Sequence, residues 1–183
     1  MWEALIILLG IAADQLSKAW VSANLIGRSV PIISGVLNYT YVENTGAAFG
    51  MLGNSTTTLA IFSGLMSVAM LYVLYRYRKA FSRLTNVALS LIVSGAIGNF
   101  IDRAFYGFVV DFIELKFVNF AVFNIADICV TMGTVLLIMA LIFLEKDNVE
   151  QFEQSMKAGK GPKAQVWYWS LRQRLRRLVW INT

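Results

Sequence analysis

Polar side chains in otherwise apolar stretches are the residues of this chain best suited to chemistry. They are carboxylates, carboxamides and one arginine: Asp14, Asn44, Asn99, Asp102, Arg103, Asp111, Asn124 and Asp127. The chain contains no histidine, which excludes every Ser-His or Cys-His mechanism and every His-ligated metal site built from this chain alone. Two carboxyl groups in a poorly solvated place share one proton, so one can act as a general base while the other protonates a carbonyl oxygen. Asp111 and Asp127 are the best candidates, because the residues between them suffice for the chain to turn back.

Several of these residues also have a purely structural interpretation. Asp14 and Lys18 are one helical turn apart and can form an ion pair. Asn124 can cap the start of a helix, and Asp102 and Arg103 can be anchors at a membrane surface. At this stage either interpretation is open for each residue alone.

Two other mechanisms are less favoured. A Ser17–Lys18 dyad is unfavourable because adjacent helical residues point about 100° apart. A hard-cation site would use acidic residues, but the sequence lacks the spacing of a metal-binding loop. Its ligands would be Asp102, Asp111, Glu114 and Asp127. We therefore expect neither a metal nor a cofactor.

The composition indicates a membrane protein. Hydrophobic residues make up 57% and charged residues 15% of the 183 residues, against about 45–50% and about 25% in soluble domains. Four apolar segments are each close to the roughly 20 residues that a transmembrane helix needs. They cover about 2–23, 57–75, 84–101 and 122–144. The single cysteine, Cys129, lies in the fourth segment and is expected to be a packed thiol.

The basic residues predict the orientation of these segments. Of the 16 Lys and Arg residues, four lie in the short connection 76–83 and eight in the tail after residue 145. The positive-inside rule then places both termini and this connection in the cytoplasm. The connections 24–56 and 102–121 face outward, and strand-like stretches at 36–42 and 113–117 predict a small sheet or hairpin there. The polar residues come from four segments yet gather on this outer side, which favours a shared functional site.

Glycines accompany the polar residues. The segment 44–50, which includes Gly46, reads NTGAAFG, and its small residues allow close approach of a backbone or a substrate. The alternative is an ordinary turn. Gly95 and Gly98 are expected to serve close packing between helices.

Taken in order, the polar motifs resemble those of the bacterial lipoprotein signal peptidase family, also called signal peptidase II. Five blocks carry the resemblance across about residues 1–145: DQLSK (14–18), NTGAAFG (44–50), GNFIDR (98–103), VVDF (109–112) and FNIAD (123–127). No departure from the family pattern is evident in them.

The resemblance implies a membrane all-α core of four transmembrane helices with a small extracytoplasmic β-structured cradle. It implies an aspartic endopeptidase of the bacterial cytoplasmic (inner) membrane that removes signal peptides from diacylglyceryl-modified prolipoproteins, cutting just before the lipidated cysteine. The family's catalytic dyad maps onto Asp111 and Asp127. The other matching motif residues would hold the dyad and the substrate backbone: Asp14, Asn44, Gly46, Asn99, Asp102, Arg103 and Asn124. Globomycin-type antibiotics block this family, membrane lipid is a partner, and a monomer is expected.

The tail 146–183 is longer than this family needs. Trp167, Leu171, Leu175 and Leu178 recur at helical spacing, interrupted by arginines. This pattern predicts a basic amphipathic helix on the inner leaflet, with a solvated tail as the alternative. The tryptophan content and the position beside a membrane span disfavour nucleic-acid binding.

Two other function classes remain open on the sequence. Intramembrane acids could serve as the relay of a small transporter or of another proton-coupled membrane protein. The chain could also be a membrane scaffold without catalytic activity.

Overall fold

The computed structural model describes residues 2–46, 56–78 and 81–143, and these residues form four long helices and one small sheet. The helices are α1 (Trp2–Asn24), α2 (Thr56–Tyr77), α3 (Arg83–Tyr106) and α4 (Ile125–Phe143), and the strands are β1 (Ser29–Ile33), β2 (Leu37–Asn44) and β3 (Val109–Leu115). All four helices are long and apolar enough to cross a membrane, with mean hydropathy between 1.5 and 2.4. The predicted fold class, four transmembrane helices with a small sheet, is confirmed.

The helix ends differ most from the prediction around the polar residues. Helix α3 continues to Tyr106 instead of ending near residue 101, so Asp102 and Arg103 belong to the helix. It ends at Gly107, whose left-handed φ of 79° allows its N–H to donate to the carbonyl of Arg103. Helix α4 begins at Ile125, not near residue 122, because Asn124 caps it.

The sheet is antiparallel with strand order β1-β2-β3. Strand β2 extends past the predicted stretch 36–42, so that Val42 pairs with Asp111 and Asn44 with Val109. The alternation at 113–117 predicted a later strand than β3, whose first four residues are all buried. Phe112 packs with the C-terminal end of α1, and Asp111 on the opposite face accepts a hydrogen bond from Asn124. Since both faces are covered, β3 lacks the alternation that signals a half-exposed strand.

Glycines bring α3 close to α1 and α4, as predicted. A Cβ on Gly98 would lie 2.5 Å from Asp14 Oδ2 and 3.3 Å from the Cβ of Ala126. A Cβ on Gly95 would collide with the carbonyl oxygen of Ala126. Small residues at these positions therefore let α1 and α4 approach α3 closely enough for their polar groups to meet.

The chain divides into two compact units, Met1–Ala140 and Leu141–Thr183. The first contains the sheet, α1 to α3 and most of α4. In the second, only the end of α4 at 141–143 belongs to the described residues. The predicted boundary between a domain at 1–145 and a tail at 146–183, and the predicted amphipathic helix, lie outside the described residues.

Candidate active site

Asp111 projects from the middle of β3 and accepts two amide hydrogen bonds. Asn124 Nδ2 donates to Asp111 Oδ1 at 2.6 Å, and Asn44 Nδ2 donates to Oδ2 at 2.8 Å. The side chain is buried, with 3% of the residue exposed. Each carboxyl oxygen has a second lone pair, which leaves both able to bind a proton, a water or a substrate group.

Asp127 lies in the first turn of α4 and is held by a reciprocal cap. Its backbone N–H donates to Asn124 Oδ1 at 2.9 Å, and its own Oδ2 accepts from the backbone N–H of Asn124 at 3.2 Å. This is the geometry of a capping box, with Asn124 at the N-cap and Asp127 three residues later. Asn99 Nδ2 of α3 donates to the other oxygen, Oδ1, at 2.8 Å. The N-cap that the sequence predicted at Asn124 is confirmed. The same residue also orients the carboxyl group of Asp127.

One cavity of about 460 Å³ contains both carboxyl groups on its wall. Its polar lining consists of Asn44, Asn99, Arg103, Asp111, Asp127 and Thr131. The remaining lining is apolar and comes from β3, the segment 120–123 and one face of α4. The cavity thus joins a patch of hydrogen-bonding groups to an apolar wall, as is usual in sites that bind amphiphilic ligands.

Arg103 and the end of β2 border this cavity. Arg103 donates from a terminal guanidinium nitrogen to the carbonyl of Gly46 at 3.0 Å, and the Gly46 N–H donates to Asn44 Oδ1. Within the described residues, Arg103 Nε is buried and lacks a hydrogen-bond acceptor. The structure therefore brings Gly46, Asn44 and Arg103 together at the site, while 47–50 of the NTGAAFG block lie outside the described residues.

Asp14 and Asp102 lie behind the two site aspartates and do not line the cavity. Lys18 Nζ is 2.8 Å from Asp14 Oδ2 and 3.0 Å from Asp102 Oδ2, so the predicted Asp14–Lys18 pair forms. Gln15 Nε2 bridges the same two carboxylates, at 3.2 Å and 2.9 Å. All eight polar residues selected from the sequence thus belong to one connected set of hydrogen bonds and lining groups.

Burial changes the acidity of Asp111. Removal from solvent raises its pKa to about 6 from an ordinary value of 3.8, and the negative charge of Asp127 adds to the increase. The hydrogen bonds from Asn44 and Asn124 and the charge of Lys18 act in the opposite direction. Asp111 is therefore able to carry a proton at a pH where an ordinary aspartate is ionised.

Metal binding has no candidate within the described ranges, because no three acidic or cysteine side chains there are grouped as ligands. Cys129 is a free, half-buried thiol on α4 and does not line the cavity.

Comparison with known proteins identifies the family of this chain. Residues 6–143 match the family model described as signal peptidase (SPase) II. The lipoprotein signal peptidase of Clostridioides difficile (strain 630) is 48% identical over 150 residues, which cover 81% of this chain and 99% of that protein. The protein of the same name from Clostridium novyi (strain NT) is 40% identical, with coverage of 76% and 97%.

The chain belongs to the signal peptidase II family. It is accordingly a multi-pass membrane protease, and the resemblance noted in its motifs is confirmed. Two solved structures described as bacterial membrane enzymes, determined by the in meso method, are similar to it. One is 35% identical with a TM-score of 0.70, over 76% of this chain and 87% of the other. The second is 36% identical with a TM-score of 0.69, over 78% and 93%.

Sequence reasoning missed two residues of this signal peptidase site, Lys18 and Gln15. Both are in the DQLSK block, but the sequence suggested for Lys18 only a pair with Asp14 and an unfavourable dyad with Ser17, both on its own helix. The signal that could have found it is a lysine in an apolar span, since such a charge faces the protein interior and has partners there. Its contacts with Asn99 and Asp102 join residues more than 80 positions apart, so local spacing does not predict them.

Proposed function

We propose that this chain is an aspartic endopeptidase in which Asp111 and Asp127 form the catalytic dyad. The observation that carries the proposal is that the carboxyl groups of Asp111 and Asp127 line one cavity and both bind Asn124. The substrates are diacylglyceryl-modified prolipoproteins, and the bond cut is the one just before the lipidated cysteine. The name of the relatives, lipoprotein signal peptidase, supports this substrate class.

The dyad works with one shared proton. The ionised carboxylate removes a proton from a water molecule, whose oxygen attacks the carbonyl carbon of the scissile peptide bond. The protonated carboxyl group donates its proton to the carbonyl oxygen, which gives a neutral tetrahedral intermediate. The aspartate that took the proton from water then donates it to the amide nitrogen, while the other, now ionised, removes a proton from a hydroxyl of the intermediate. The C–N bond breaks to give a carboxylic acid and an amine, and one ionised and one protonated aspartate are regenerated. The raised pKa of Asp111 suits it to carry the shared proton.

Fixed amides keep the two acids in position during these steps. Asn44 and Asn124 hold Asp111, and Asn99 holds Asp127, so little reorganisation is needed when charge develops. Arg103 lines the cavity, and its guanidinium is suited to bind a main-chain carbonyl of the substrate. Gly46 leaves room for that backbone to approach.

The apolar wall of the cavity suits a lipidated substrate. Ile128, Val130 and Met132 of α4 line it below the dyad, and Val109 and Phe120 line it from the other side. Acyl chains or the apolar part of a signal peptide can contact these residues without leaving a lipid environment. Membrane lipid is accordingly a partner, and globomycin-type peptides would compete for the same cavity.

The setting of the enzyme follows from the positions of its basic residues. We infer a multi-pass protein of the bacterial cytoplasmic membrane with both termini in the cytoplasm and the dyad at the outer face. A peptidase unit at 1–145 is followed by a basic cytoplasmic tail at 146–183. The protein acts as a monomer, with no cofactor and no bound nucleic acid.

The decisive experiment replaces each acid by its amide. Asp111→Asn and Asp127→Asn should each abolish cleavage of a purified diacylglyceryl-modified prolipoprotein in detergent while thermal stability is retained. Glu114→Gln is the matched control, because Glu114 is on the same strand but pairs with Lys116 away from the cavity. Full cleavage by either asparagine variant would refute the dyad. Activity that required sealed vesicles and an ion gradient would favour a transporter relay instead.

A further inference from the structure

Lys18 is a buried ammonium whose three donors all have acceptors. Its Nζ lies 2.8 Å from Asp14 Oδ2, 2.9 Å from Asn99 Oδ1 and 3.0 Å from Asp102 Oδ2. Only 3% of the residue is exposed, and it does not line the cavity. A buried charge with this many partners is costly to place and costly to remove, so its role extends beyond a simple pair on α1.

The two carboxylates bound by Lys18 each hold a backbone N–H next to a dyad residue. Asp14 Oδ1 accepts from the N–H of Ala126 at 2.9 Å. Asp102 Oδ2 accepts from the N–H of Val110 at 3.1 Å. Ala126 immediately precedes Asp127, and Val110 immediately precedes Asp111. Each dyad aspartate is therefore preceded by a residue whose backbone is tied to the same ammonium through one carboxylate.

The third contact of Lys18 fixes the orientation of an amide. Because Lys18 donates to Asn99 Oδ1, the Nδ2 of Asn99 must point the other way, where it donates to Asp127 Oδ1 at 2.8 Å. An amide turned by 180° would put its oxygen against the oxygen of Asp127 and its NH2 group against the ammonium of Lys18. Lys18 thus reaches Asp127 by two routes, through Asp14 with Ala126 and through Asn99.

Charge compensation explains why one cation is needed at this point. Asp14 and Asp102 are both fully buried, at 0% and 1% exposed, and Gln15 bridges them without adding charge. Without Lys18 the two acids would repel each other in a medium of low dielectric constant, and at least one would move. That movement would release a backbone N–H beside a dyad aspartate.

We propose that Lys18 is a positioning residue for peptide cleavage, which holds the strand bearing Asp111 and the helix bearing Asp127 in register through Asp102, Asp14 and Asn99. The inference rests on the proposed function, because it assumes that these two aspartates react. It adds a residue that does not touch the substrate but sets the separation and orientation of the groups that do.

Lys18 also acts on the dyad through its charge. Lys18 contacts Asp14 on α1 and Asp102 on α3, and its charge also acts on Asp111 of β3 and Asp127 of α4. Arg103 of α3 acts on Asp102, Asp111 and Asp127 as well. Its positive charge favours the ionised form of Asp111 and lowers the pKa of that group. Loss of the ammonium should therefore shift proton loss from Asp111 to higher pH, a change that a residue serving only as packing would not cause.

The experiment compares Lys18→Met, Lys18→Arg and Lys116→Met in cleavage of a diacylglyceryl-modified prolipoprotein in detergent. Lys18→Met should lower kcat by about 100-fold, the usual effect of misplacing reacting groups by about 1 Å. Its KM should stay within about twofold, because ground-state contacts in the cavity are unchanged. The alkaline limb of its pH profile should move to higher pH. Lys18→Arg should return the alkaline limb to its wild-type pH and restore part of kcat. Lys116→Met is the matched control, because Lys116 is exposed.

A wild-type kcat in Lys18→Met would overturn the inference, and so would a lower kcat with the alkaline limb unmoved. If Lys18→Met does not fold, the charge-balanced double variant Lys18→Met/Asp14→Asn replaces it, and a wild-type kcat there also overturns the inference. The parent proposal is tested separately by the dyad variants. Cleavage by Asp111→Asn refutes the dyad, whereas inactive dyad variants beside a fully active Lys18→Met refute only the role of Lys18.

Discussion

The Nδ2 atom of Asn124 lies 2.6 Å from Asp111 Oδ1, and this contact joins a strand to the start of a helix. The same asparagine exchanges two capping hydrogen bonds with Asp127. One side chain thus fixes the strand acid and the helix acid relative to each other. Its position as the N-cap of α4 ensures that the two acids move together with the beginning of that helix.

Replacement of Asn124 should separate its two roles. Asn124→Ala should lower the stability of the detergent-solubilised protein by about 1 kcal/mol through loss of the cap, and kcat by about 100-fold through displacement of Asp111. Asn124→Ser should lose less stability, because serine caps helices well, but should lose similar activity because serine is too short to reach Asp111. Thermal unfolding and peptide cleavage measure the two effects, with the surface change Asn38→Ser as the control. Full kcat in Asn124→Ser would contradict the bridging role.

The pH dependence of cleavage should follow the ionisation of Asp111. Its pKa is raised to about 6, so below that pH Asp111 carries a proton that the dyad can share. As the pH rises through the limb set by Asp111, this proton leaves and none is available for the carbonyl oxygen. The kcat/KM profile should therefore have a descending alkaline limb. In Asn44→Ala the loss of a hydrogen bond to the ionised carboxylate should move this limb upward. A downward shift would be inconsistent with the donor role of Asn44.

Gly98→Ala should displace Asp14, which lies behind the two site aspartates. The added methyl would lie 2.5 Å from Asp14 Oδ2, closer than van der Waals contact allows. Asp14 would have to move away from the Ala126 N–H, so we expect a clear loss of both kcat and thermal stability. Gly64→Ala is the control, because its nearest neighbour is a ring carbon of Phe100 at 3.0 Å and an aromatic ring can shift. Equal effects of the two changes would argue against a specific role for Asp14.

Removal of the tail should leave catalysis intact. The family match ends at residue 143, and no residue proposed for the site lies beyond residue 132. A protein truncated after Asp147 should cleave substrate in detergent at the rate of the full chain. Its dependence on anionic lipid in vesicles should be weaker, because the basic residues 157–177 are gone. Loss of all activity in a truncated protein that remains folded would show that the tail contributes to the site.

Much of the fold could be predicted from the sequence, because a membrane imposes strong local rules. A transmembrane helix needs about 20 apolar residues. A polar residue within such a helix is costly and usually faces partners in the protein interior. Those rules predicted the four helices and selected Asp111, Asp127 and Asn124. They failed at the end of α3, where Asp102 and Arg103 remain helical because their side chains find partners, and at the start of α4, which Asn124 caps. They also failed for β3, where burial on both faces removes the alternation.

The sequence by itself pointed to carboxylates for the proposed chemistry. It determined that four helices are long and apolar enough to cross a membrane and that one asparagine could cap the last of them. Composition, spacing and the five motifs suffice for these, since each depends on residues near one another in the chain. Only the tertiary structure decided which acids line the cavity and which lie behind it. Asp14 and Asp102 are also aspartates and are at least as buried as Asp111, but they face Lys18 and the backbone beside the dyad. That division depends on the rotation and spacing of α1, α3, β3 and α4. The close packing at Gly95 and Gly98 sets the spacing of the helices, and local sequence does not encode it.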